Sequence, residues 1–136
     1  MPSRWSPGGV AAPIGQYSHL ALVPPGHAIV FVSGQVGNDA GGVVVGEDAE
    51  RQTRQAFANI GALLQEVGAT PSAIVKLLTF VAGEQHLAGF YAARNETFDA
   101  WYPDGDVPAH SLAVVAALAD PALAVEIEAV LAVPAS

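Results

Sequence analysis

The chain of 136 residues contains no cysteine, so neither a disulfide framework nor thiolate chemistry is open to it. Positive charge is almost as scarce. Arg4, Arg51, Arg54, Lys76 and Arg94 are its only fixed cations, and the formal charge is −8. A phosphate backbone is held by clustered lysine and arginine, so five scattered cations in an acidic chain argue against nucleic acid as a partner. Anionic membrane surfaces are disfavoured on the same ground. The opening MPSRWSPGGV lacks the apolar core of a signal peptide, and no run approaches the ~20 apolar residues of a membrane span. These absences lead to the expectation of a soluble, cytoplasmic protein without membrane contact.

What the chain has in plenty is apolar surface: 51% of residues are hydrophobic and only 13% charged. The length fits one domain over residues 1–136, with residues 1–11 expected to be a loosely ordered N-terminus. So apolar a composition in so small a domain suggests that part of its surface is buried against another subunit.

Periodicity gives the order of elements. IGQYSHLALV (14–23) reads as a strand, and Pro24-Pro25-Gly26 turns it into AIVFVSG as a hairpin. A short VVV after the glycine-rich loop reads as a minor third strand. From Glu47 to Val67, apolar residues at three- and four-residue spacing (Ala56, Phe57, Ile60, Leu63, Leu64) form one helical face, with Gly68 at its C-terminal end. IVKLLTFVA (74–82) is a strand, and residues 84–102 form a second helix with Leu87, Phe90, Tyr91, Arg94 and Phe98 at helical intervals. HSLAVVAALA and LAVEIEAVLAV supply two more strands. The expected class is α+β, a mixed sheet of about five or six strands with two helices on one face. AIVFV, LAVVAALA and AVLAV are apolar at consecutive positions, as strands buried on both faces are. Two helices cover only one face, so a second copy of the chain is the expected cover for the other.

Chemistry-bearing residues are few. Glu126 and Glu128, two apart in AVEIEAV, point to one face of a strand. Either that face is wetted near a subunit edge, or one carboxylate works as a general base. His110 opens a strand after a Pro-Ala pair. Ser33 ends another before a glycine, without the GxSxG turn of a hydrolase nucleophile. The histidines show no HxH or HExxH spacing, so no metal site is expected, and no glycine loop has nucleotide-binding spacing, so no cofactor is implied.

Taken in order, IGQYSHL, VSGQV, RNETFDAWY, VPAHS and VEIEAVLAV resemble the YjgF family, the reactive intermediate deaminases (Rid), which include RutC-like and endoribonuclease L-PSP proteins. The resemblance runs from about Ala12 to Val133. It implies a chorismate-mutase-like subunit in a homotrimer, with a central barrel of sheets, helices outside, and small-molecule clefts between subunits. It further implies hydrolysis of enamines and imines, such as 2-aminoacrylate, to a 2-oxo acid and ammonia without a cofactor. Carried over residue by residue, Tyr17, Ser33 and Asn95 would bind substrate and Glu126 would position or activate water. The departure is His110: deaminating members carry arginine in a PARS segment where this chain reads PAHS. A guanidinium grips a carboxylate through two parallel hydrogen bonds, which a single imidazole cannot do. The expectation is therefore a hydrolase of altered specificity, with His110 binding or protonating substrate, and a non-catalytic metabolite-binding trimer as the alternative. Ribonuclease activity, known among relatives, fits poorly with the −8 charge.

Overall fold

The computed structural model of the chain describes residues 2–135. In chain order it contains β1 (Ser3–Trp5), β2 (Leu20–Leu22), β3 (His27–Val36), α1 (Ala49–Glu66), β4 (Ile74–Ala82), α2 (Leu87–Trp101), β5 (Ala109–Val115) and β6 (Val125–Pro134). Single 3-10 turns, Pro71–Ala73 and Glu84–His86, lead into β4 and α2. Four strands form one sheet in the order β3-β6-β4-β5, and β1 pairs with β2 as a separate ribbon. The β4–β5 pairing is parallel and the other sheet pairings are antiparallel, so the sheet is mixed.

Both helices start and stop for local reasons. Asp48 caps α1 by accepting the Arg51 amide at 3.1 Å, where a carboxylate also complements the helix dipole. Gly68, at φ 67°, closes its far end and donates to the Gln65 carbonyl. Alternate residues of the central strands, Leu77 and Val81 on β4 and Ile127 and Leu131 on β6, are fully buried against Phe57, Ile60 and Leu64 of α1 and Phe90 and Phe98 of α2. Gln52 is the polar member of this layer. Its amide bonds the Gly46 and Ala122 carbonyls and the Ala124 amide, tying α1 to the strand entering the sheet.

The opposite face of the sheet carries no helix. Ile29 and Phe31 of β3 are exposed, Phe31 by 79%, and Leu78, Phe80 and Val130 are half-buried on the same face. The non-alternating strands thus present apolar side chains on both faces, and the helices cover one.

Three expectations differ from what is observed. The hairpin does not form: β2 pairs with β1, and β3 pairs with β6. Residues 14–19 are instead drawn toward β5, because the Ser18 amide and hydroxyl bond the Pro108 and Val107 carbonyls. The VVV segment makes only an isolated bridge, Asn38 to Val44, so the main sheet has four strands. The N-terminal stretch is anchored where a loosely ordered one was expected. Arg4 lies with its side chain 1% exposed and donates to the Ser72, Ile74 and Asp106 carbonyls. Its guanidinium also covers the Tyr102 ring at 5.2 Å.

Candidate active site

Beside β5, the last strand of the sheet, lies a cleft of about 870 Å³ bounded by the loop 14–17, α2 and the start of β5. Tyr17, Asn95 and His110, three of the residues singled out in the sequence, meet here. The loop is held by its Ser18 tether and by the Tyr17 hydroxyl, which accepts the Ile14 amide at 3.3 Å. Asn95 links loop to helix, because its Oδ1 accepts from Gln16 Nε2 and from Arg94 Nε, both at 3.0 Å.

His110 pairs with Leu77 across the parallel ladder, so its ring points to the helix-covered face. There its Nε2 is 2.8 Å from Thr79 Oγ1, and the rings of Phe90 and Phe98 lie 6.3 Å away. Its Nδ1 is sealed from solvent and has no hydrogen-bond partner. Burial first, then the charges of Arg94 and Lys76, push its pKa down to about 3. The imidazole is neutral at physiological pH. That runs against its reading as a proton donor or charged carboxylate partner and leaves it a neutral hydrogen-bonding group.

The cation of this cleft is a residue whose role the sequence did not reveal. Arg94 lines it, 9% exposed, with its guanidinium 5.1 Å from the Tyr91 ring centroid and 5.7 Å from those of Phe90 and Phe98. No carboxylate among the described residues forms an ion pair with it. The signal lay in the helical spacing: Phe90, Arg94 and Phe98 fall four apart on one stripe, and Tyr91 falls three before the arginine. An arginine inside an aromatic stripe is thereby turned toward β5 and away from bulk water.

Ser33 and Glu126 stand elsewhere. Glu126 pairs with Phe80 and projects from the helix-free face, half-exposed. Its side chain lies over Gly34, where a Cβ would sit 2.7 Å from Glu126 Cγ. The glycine after Ser33 is therefore a steric requirement of the carboxylate's position. Ser33 is exposed at the β-bulge between Val32 and Gln35, with its carbonyl accepting from Gln35 Nε2 at 3.1 Å. The five sequence-derived residues thus fall into two groups within one chain: Tyr17, Asn95 and His110 beside β5, and Ser33 with Glu126 toward β3. Among the described residues, no three histidine, aspartate or glutamate side chains converge as metal ligands, and no helix is long and apolar enough to cross a membrane.

Comparison with known proteins accounts for almost the whole chain. The family model described as Endoribonuclease L-PSP matches residues 9–133. A RutC family protein of Synechocystis is 32% identical over 90% of this chain and 90% of its own. The 2-iminobutanoate/2-iminopropanoate deaminase of Rattus norvegicus is 33% identical over 79% of this chain and 73% of its own. The crystal structure of the Rid family protein YyfB of Yersinia pestis superposes with a TM-score of 0.81 at 32% identity, covering 96% of this chain and 97% of that one. With the family model matched over residues 9–133 and the fold superposing over nearly its whole length, the chain belongs to the Endoribonuclease L-PSP (YjgF/Rid) family.

Proposed function

We propose that the protein is a homotrimeric hydrolase of enamines or imines, with each site built from two chains. One observation carries this reading: the residues fit for the chemistry are divided between the two ends of the sheet. β3 and β5 are its edge strands, each with one unpaired backbone ladder. The two edges differ, so contact between them is head-to-tail, which in the proposed trimer closes into a ring. Such a ring brings Ser33 and Glu126 of one copy to the Tyr17–Asn95–His110 cleft of the next. It also buries Phe31 and its apolar neighbours inside.

The chemistry balances without an oxidant or a cofactor. An enamine first takes a proton from solvent at carbon and gives up an N–H proton to solvent, which converts it to the imine. A water oxygen then bonds to the imine carbon, with Glu126 accepting its proton and returning it to nitrogen. The hydroxyl of this carbinolamine then gives its proton to nitrogen, again through Glu126, as the carbon–nitrogen bond breaks, leaving a carbonyl compound and ammonia. Tyr17 and Asn95 orient the substrate through hydrogen bonds, and the neutral imidazole of His110, held by Thr79, backs the cleft wall. The rat relative, a 2-iminobutanoate/2-iminopropanoate deaminase, supports this reaction class, and the acidic charge supports it over RNA cleavage. A cytoplasmic setting fits the same reading.

The test is to generate imines in place with an amino acid oxidase and to trap them with semicarbazide. The protein should speed 2-oxo acid formation and lower trapping in parallel, and Glu126→Gln should abolish both effects. Ligand-induced thermal stabilisation with no turnover across several amino acids would overturn the hydrolase and leave a metabolite-binding trimer.

A further inference from the structure

Arg94 is nine-tenths buried, faces the cleft and has no counter-charge among the described residues. Its Nε is committed to Asn95 Oδ1, and no acceptor among the described residues takes up its two terminal nitrogens. A buried cation without a partner is costly, and proteins keep one where a ligand supplies the missing charge. Burial pulls its pKa below the ordinary arginine value, the direction set by lost solvation. Three aromatic rings and the Asn95 bond fix the guanidinium plane before any ligand arrives, which lowers the ordering cost of binding.

We propose that Arg94, projecting from α2, is the carboxylate-binding residue of the cleft and makes the protein selective for small monocarboxylates with an apolar tail. The strand position opposite it, His110, is neutral and cannot supply that charge. Of the remaining lining, Ile14, Tyr91 and Leu112 are apolar or aromatic and Gln16 and Ser111 are polar but uncharged, so Arg94 is the one cation among the described lining residues. An apolar substituent on the acid would find contact there, whereas a second carboxylate would lie unpaired in an acidic protein. The selectivity rests on the cleft being the substrate site proposed above. The arginine–carboxylate contact itself is measurable without turnover.

The probe is 2-oxobutanoate, with uncharged butanone as its control, titrated calorimetrically into the purified oligomer. Wild type should bind the acid and bind butanone far more weakly. Arg94→Met should weaken acid binding by at least ~20-fold, as loss of a desolvated charged contact does, while leaving butanone unchanged. Arg94→Lys, which keeps the charge but loses the fork, should fall between the two. The side-chain Nε–H resonance that disappears in Arg94→Lys should shift during titration of wild type, a readout independent of whether the methionine variant folds. Undiminished 2-oxobutanoate affinity in a folded Arg94→Met, or an unmoved Arg94 resonance at saturation, would overturn the assignment. Absence of imine hydrolysis with Arg94-dependent acid binding would sink the hydrolase and leave this contact standing.

Discussion

His110 and Glu126 stand on opposite faces of one sheet, on strands flanking β4. His110 is level with Leu77 and Glu126 with Phe80, three residues further along β4, roughly 10 Å at strand spacing. Side chains alternate along a strand, so Leu77 and Phe80 point to opposite sides. No rotamer change carries one group through the sheet to the other. Any reaction that uses both draws them from different chains.

That division predicts complementation between defective subunits. Glu126→Gln damages the half-site near β3, and Asn95→Ala damages the half-site beside β5. Each variant alone should be inactive. Refolding them together in equal amounts should restore about a quarter of wild-type activity, because one site in four then pairs two intact halves. Turnover of oxidase-generated imines by the mixture, against each parent, measures it. A mixture as inactive as its parents would show that the two groups serve separate sites.

His110 predicts a pH signature in stability. Unfolded, it takes a proton near pH 6.5; folded, it resists protonation down to about pH 3. Between these values the unfolded state binds more protons, so stability falls as pH falls, by up to ~1.4 kcal/mol per pH unit. Above pH 6.5 the histidine is neutral in both states and contributes no slope. His110→Gln removes this proton linkage while leaving the carboxylates unchanged. From pH 7 to 5.5, wild type should lose about 1 kcal/mol more than the variant, measured by urea unfolding at one protein concentration. Parallel stability curves for the two proteins would show that His110 is not held neutral by the fold.

The sequence revealed much of the fold because its longer elements are strongly periodic. β4 occupies the expected residues 74–82, and α1 buries Ala56, Phe57, Ile60 and Leu64 as their spacing required. Pairing was less legible. Residues 14–23 look strand-like, but Ser18 bonds Val107 and Pro108, more than 80 residues away, and only Leu20–Leu22 are left to pair. A long-range bond of that kind leaves no local pattern. The same holds for Arg4, whose carbonyl acceptors at Ser72 and Ile74 hold the N-terminal strand in position. In the cleft, the resemblance picked out Tyr17, Asn95 and His110, but it could not show that His110 faces a helix or that Arg94 lines the cleft. Those facts come from the register of β5 and the stripe on α2, and only a folded chain brings the two together.

The uncovered sheet face predicts where copies of the chain join. Phe31 is 79% exposed, paired with Val130 and two residues from Ile29, on the face the helices leave bare. Burying such a side chain against another copy contributes about 2 kcal/mol per chain, and a carboxylate in its place would be desolvated without a partner. Phe31→Glu should therefore lower the mass seen by light scattering at micromolar concentration to the 13.9 kDa of one chain. Its far-UV circular dichroism should remain near wild type, because Phe31 lies outside the helix-packed core. Imine turnover should disappear with assembly, since Glu126 would no longer reach a neighbouring cleft. Leu63→Glu is the matched control: Leu63 is 39% exposed on the outer side of α1, and its variant should keep both mass and activity. A Phe31→Glu protein of unchanged oligomeric mass, or a wild type that already scatters as a single chain, would show that this face is not the one that joins the copies.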